Sequence, residues 1–197
     1  QGLELVPPRC MTVGALPEAL YPPRARIASP LVRRLAWTEA LRGASPELAA
    51  QLADPPPAYS DWPAWRGLGG MLERLHAELM ADNLDFTAVA AQGPALQGFT
   101  GQARWQALTR LKASYLELLA QAGLQDPYQA RAEALLERRL GWDGQVVIVA
   151  APALNQSLRA MLDQFGSRVA ILIHAPPERA ARFDTHGCLL PQAWIGL

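Results

Sequence analysis

The densest set of side chains able to move protons or hold a metal lies in HAPPERAARFDTHGC, which carries His174, Asp184, His186 and Cys188. His174 closes an apolar, β-branched run, and α/β folds hold ligands at the carboxyl ends of such strands. Asp-x-His-x-Cys offers oxygen, nitrogen and sulfur ligands, but the spacing follows no zinc pattern. A strand-end site at His174, Asp184 and His186 would suit a small free-standing α/β enzyme. The competing reading gives His174 a buried hydrogen bond and leaves Asp184 and His186 to shape a turn. His76 stands alone on a helical stretch and reads as a surface or boundary residue.

Lysine chemistry has one candidate. Seventeen of the eighteen basic residues are Arg, so a phosphate-loop, PD-(D/E)xK nuclease or Schiff-base lysine would have to be Lys112. It lies in TRLKASYLELLA, an amphipathic helical context, and reads as a solvated helix residue. No GxxxxGK[ST] loop exists to cradle phosphate. Gly67-Leu68-Gly69-Gly70 lacks the lysine and follows no strand. The strand ending at Val149-Ala150-Ala151-Pro152 has no carboxylate for magnesium. GxSxG, CxxC and HExxH are absent, and neither metal nor cofactor is expected.

Half of the 197 residues are apolar and 18% are charged, enough for a packed core. Eighteen basic residues balance eighteen acids, which argues against strong nonspecific attraction to nucleic acid. The neutrality hides segments of opposite sign: +3 over residues 1–42, −5 over 43–100 and +2 over 101–140. The basic opening, with Arg9, Arg24, Arg26, Arg33, Arg34 and Arg42, is a candidate anion-facing patch; the alternative is ordinary surface arginine. Cys10 and Cys188 are too few for a disulfide scaffold. The chain has no apolar run of transmembrane length and no secretory-type opening. No membrane association and a cytoplasmic location are therefore expected.

These residues need elements to position them. Val146–Val149 follows a glycine and reads as a strand buried on both faces. Leu154, Leu158, Met161, Leu162 and Phe165 recur at helical spacing and stop at Gly166. A second buried strand covers 168–174, followed by a short helix in PERAARFDTHG. Strand, helix, strand predicts a βαβ crossover and a parallel sheet. Residues 9–13 read as another strand of that sheet, before a turn at Gly14, and residues 3–6 as a further short one. A helix follows over 31–42. Between the α/β ends lie helices over 46–52, 68–82, 84–92, 102–122 and 127–140, with a proline-rich loop at 53–63. Trp37 and Trp105 fall on apolar stripes, and Trp62 and Trp65 are placed to pack the loop down. The predicted class is α/β: a parallel-sheet core from residues 1–42 and 141–197, split by a helical insert over 43–140.

Three segments also carry a family resemblance: TVGALPEALYPP, the helical stretch from DNLDFTAVAAQG through AQAGLQD, and VVIVAAPALNQSLRAMLDQF with RVAILIHAPPERAARFDTHGCLLPQAW. Together they resemble the AddB-type subunit of bacterial helicase–nucleases that repair double-strand breaks, proteins of the PD-(D/E)XK nuclease family. The resemblance implies an inactivated UvrD/Rep-like, P-loop-helicase-like 1A core with a 1B-like helical insert. Thr12-Val13-Gly14-Ala15-Leu16 stands where helicases carry a motif near single-stranded DNA. Val149-Ala150-Ala151 stands at the acidic magnesium motif, and His174-Ala175-Pro176-Pro177 at a motif with an acid and a glutamine. Those acids and the glutamine are missing, so no ATP hydrolysis is expected. The resemblance also implies a Walker-type strand upstream of Gln1 and a nuclease domain downstream of Leu197, making the chain a piece of a larger protein. Expected partners are single-stranded DNA, bound weakly, and a helicase subunit. Thr12 and Gly14, aided by Arg24, Arg26, Arg33 and Arg34, would face the DNA. Alternatively, Thr12 caps the short helix, the arginines pair with Glu18 and Glu39, and the chain is a protein-interaction module.

Overall fold

A computed structural model of the chain describes residues 7–195. In chain order its elements are α1 Leu16–Ala19, β1 Arg26–Ile27, α2 Pro30–Arg42, α3 Pro46–Leu52, α4 Trp62–Ala81, α5 Phe86–Gln92 and α6 Gln102–Gln121. They continue with β2 Leu124–Gln125, α7 Pro127–Leu136, β3 Val146–Val149, α8 Gln156–Phe165 and β4 Val169–Leu172. The chain is mixed α/β, with two parallel two-stranded sheets among the described residues. It divides into two compact units. One is the contiguous stretch Pro23–Glu137; the other joins the segment ending at Pro22 to the segment from Arg138 onward.

The contiguous unit is helical, and local chemistry starts most of its helices. Ser29, Ser45, Asp61, Asp85 and Asp126 each accept a backbone N–H of the first turn; a proline directly follows Ser29, Ser45 and Asp126 and stands two residues after Asp61. The core lies where α2, α4 and α6 meet. Trp37 stacks on Tyr115 with ring centroids 4.1 Å apart, and Phe86 meets Trp37 edge-on at 6.1 Å. The stretch Gly67-Leu68-Gly69-Gly70 lies inside α4, where Gly69 lets α2 come close: a Cβ there would sit 2.4 Å from Thr38 Oγ1 and 3.0 Å from the Thr38 nitrogen. The tryptophans do secure the proline-rich loop. Trp65 Nε1 donates to the Ala58 carbonyl at 3.0 Å, and the Arg42 guanidinium lies 4.3 Å from the Tyr59 ring and 3.8 Å from the Trp62 ring.

The other unit is built on β3–α8–β4. The strands pair in parallel, with Val146 beside Val169 and Ile148 beside Ile171. Leu158, Met161, Leu162 and Phe165 are buried on α8, as their spacing predicts. Alternation then leaves Val147 and Val149 exposed, so β3 is buried on one face, not two.

Several boundaries differ from the sequence reading. Residues 9–13 form no strand. Val13–Ala15 is a 3-10 turn running into α1, because Pro17 starts a helix there and no sheet edge among the described residues takes the preceding backbone. The predicted strand over residues 3–6 lies outside the described residues. Helix α2 belongs with the helical unit, since its apolar face meets α4 and α6; the break falls after Pro22, not after residue 42. Pro177–Arg182 is a 3-10 helix, and α7 stops at Leu136 instead of 140. The helical stretch also contains β2, whose two residues pair with β1 in parallel.

Candidate functional site

The strand-end cluster is partly assembled. Asp184 and His186 come together in a tight turn that folds back on α8, while His174 is exposed and takes no part. The buried hydrogen bond foreseen for His174 is therefore absent. Asp184 Oδ1 accepts the backbone N–H groups of His186 and Cys188, both at 2.9 Å, and Oδ2 accepts from Arg159 Nη1 at 2.6 Å. His186 Nε2 lies 2.9 Å from Asp163 Oδ1, and its Nδ1 lies 3.4 Å from Arg159 Nη1. A guanidinium can only donate, so Nδ1 accepts and Nε2–H donates to Asp163. Both ring nitrogens thus have side-chain partners on α8. Burial pushes the Cys188 thiol up, with the Asp184 charge adding to it and Arg159 opposing, the reverse of an activated nucleophile. No group of three or more His, Cys, Asp or Glu side chains among the described residues is placed to hold a metal. The chemistry of this cluster is that of a clip. Arg159 and Asp163, one helical turn apart on α8, grip the turn at 184–188.

Burial alone would raise the Asp184 carboxyl, but Arg159 and the two backbone N–H groups hold it below the usual carboxylate value. Asp184→Ala is expected to remove about 2 kcal/mol from the α/β unit. Faster amide exchange confined to residues 183–190 and α8 would display it; unchanged exchange would contradict the clip.

The residues expected to face DNA fall in both units. Thr12 and Gly14 are exposed at the turn before α1 in the α/β unit, and the Thr12 side chain caps nothing. The four arginines lie in the helical unit, and three are paired. Arg24 Nη2 lies 2.6 Å from Glu137 Oε2. Arg33 Nη2 is 3.3 Å from Glu73 Oε1 and its Nη1 donates to the Ala28 carbonyl, while Arg34 Nε is 3.4 Å from Glu73 Oε2. Their acids are Glu137 and Glu73, far away in sequence, and not Glu18 or Glu39. Arg26 is exposed on β1 and forms no ion pair among the described residues.

Two residues read as exposed prove to be buried. Lys112 is tucked against α5, where its ammonium donates to Asp85 Oδ2 at 3.1 Å. His76 is 1% exposed, with Nε2 3.3 Å from Asp126 Oδ1. Asp126 also accepts from the Tyr115 hydroxyl at 2.6 Å and from the Gln129 N–H at 2.8 Å. Burial pushes the Tyr115 hydroxyl far up, and the Asp126 charge adds to that. Burial would raise Asp126 too, but the His76 and Tyr115 side chains and the Gln129 N–H outweigh it and hold the carboxylate low. This His–Asp–Tyr group is sealed from solvent and joins α4, α6 and the start of α7. Its one sequence signal is the Asp126-Pro127 helix start, which reports the cap alone.

At the carboxyl end of β3, Ala150 takes a left-handed φ of 50° and, like Ala151, brings no carboxylate. No family model, no curated protein and no solved structure matches this chain.

Proposed function

We propose that the chain is a non-catalytic, helicase-like piece of an AddB-type DNA-repair nuclease subunit, serving that enzyme as a scaffold and in handling DNA. The observation that carries this reading is the order of the chain. An α/β unit is interrupted by one contiguous helical unit and resumes with a parallel strand–helix–strand, the arrangement that the resemblance implies for a 1A core with a 1B insert. The bare carboxyl end of β3 and the helical state of Gly67–Gly70 agree with a core that does not use nucleotide. No helix among the described residues is long and apolar enough to cross a membrane. A free-standing enzyme at the strand end has less support, because His174 stands apart and both nitrogens of His186 are engaged.

With Arg24, Arg33 and Arg34 paired, the DNA-facing candidates are Thr12 and Gly14 in the α/β unit and, separately, Arg26 in the helical unit. A threonine hydroxyl can donate to phosphate, and an open glycine lets a backbone approach. Weak binding of single-stranded DNA is expected, with Kd on the order of 10⁻⁴–10⁻⁶ M and strong salt sensitivity. Fluorescence anisotropy with a labelled oligonucleotide at low salt tests it, with Arg26→Glu weakening the complex. Binding no better than that of a charge-matched control protein would remove DNA handling and leave the scaffold. Calorimetric titration with MgATP should show no binding. Micromolar binding lost on mutation near Val149–Pro152 would refute the non-catalytic reading.

A further inference from the structure

The apolar arc of α4 is wider than the core it serves. Leu72, His76 and Met80 point into the core, whereas Leu68 and Leu75 are only half covered and Met71 is 40% exposed. With Trp105 and Leu108 of α6 they line an open groove of about 540 Å³. That is the size at which concave, mostly apolar sites take up a ligand or the anchors of a partner. The rim is charged. Arg74 and Arg104 border the groove from α4 and α6, with Glu78 as the one acid lining it. Both arginines are exposed and neither forms an ion pair among the described residues, although Glu78 is only one turn from Arg74. The first turn of α6, which carries Arg104, has no side-chain cap and adds the positive end of a 20-residue helix. The groove is therefore basic within a unit whose twelve acids outnumber its eleven basic residues.

We propose that this groove seats one amphipathic helix of a partner protein, its apolar anchors on Leu68, Met71, Leu75 and Trp105 and its acidic flank against Arg74 and Arg104. Helix-in-groove docking needs this combination: an apolar trough for residues three and four apart, and rim charges that set orientation. The inference goes beyond the DNA reading, since it uses neither Arg26 nor the turn at Thr12.

The test uses the full chain and two synthetic helical peptides. Both carry leucines at helical spacing; one has Glu at the flanking positions and the other has Lys there. By anisotropy the Glu-flanked peptide is expected to bind about tenfold tighter at low salt. The double variant Arg74→Glu, Arg104→Glu should reverse the preference, and Met71→Glu should weaken both peptides. Because these residues are exposed, the variants should keep the wild-type unfolding midpoint, and oligonucleotide binding measured alongside should not change. Equal binding of the two peptides, no binding of either, or binding of dodecanoate without either peptide would each overturn the proposal.

Discussion

Replacing Asp126 with Ala is expected to destabilise the helical unit by about 3–5 kcal/mol, the usual cost of removing one member of a buried charged network. The substitution leaves the Tyr115 hydroxyl and His76 Nε2 without their acceptor and uncaps α7. Urea denaturation followed by circular dichroism would measure it; a loss under 1 kcal/mol would mean that the network contributes little. Asp126→Asn keeps an acceptor for the cap and should cost less. It also isolates a pH dependence. The Asp126 carboxyl is held below its ordinary 3.8 in the folded state. A depressed carboxylate adds stability that is complete above the unfolded pKa and is lost as pH falls through the folded one. The gap in melting temperature between wild type and Asp126→Asn should therefore be widest near neutrality and shrink below about pH 4. A gap that is constant with pH would show that the carboxylate is not the source.

Gly69→Val is expected to cost about 3 kcal/mol, at the upper end for overpacking. Its side chain would meet not only Thr38 Oγ1 but the Thr38 nitrogen and, at 3.2 Å, the Arg34 carbonyl. Backbone cannot swing aside as a long side chain can, so α2 and α4 would have to separate. Gly67→Ala is the control in the same helix. Nothing lies within 4 Å of that site, and alanine there should stabilise by up to about 1 kcal/mol through helix propensity. Thermal melts of the two variants should move in opposite directions. A neutral Gly69→Val would refute the close approach.

Local patterns in this chain were legible, and partners distant in sequence were not. The β3–α8–β4 unit shows itself in a β-branched run, a helical period and a second run. Arg42–Glu39 is a pair within one helix. In contrast, Arg33 and Arg34 reach Glu73 on another helix, and Lys112 and His76 look solvent-facing until Asp85 and Asp126 arrive from elsewhere. The expected strand at residues 9–13 failed for a related reason. Strand propensity in Thr12-Val13 is realised only against a neighbouring edge, and a helix start at Pro17 prevails where the described residues supply none. The two-residue strands β1 and β2 have no sequence signal, because their pairing comes from the fold of the whole unit. At the strand end, the proximity of Asp184 and His186 could be read from their spacing. Arg159 and Asp163 could have been found by asking which charges share one face of α8.

The interrupted connectivity has a consequence for synthesis. During translation the helical unit emerges as an uninterrupted stretch and has every one of its contacts available once Glu137 is out. The earlier stretch, with Leu16, Leu20 and Tyr21 destined for burial, must wait for the residues after Arg138. The wait is shortened by the folded insert itself. β1 and β2 pair near its two ends, and the Arg24 and Glu137 side chains meet at 2.6 Å. Once that module has formed, the segments it separates no longer have to close a long flexible loop, only to bridge the short gap between its ends.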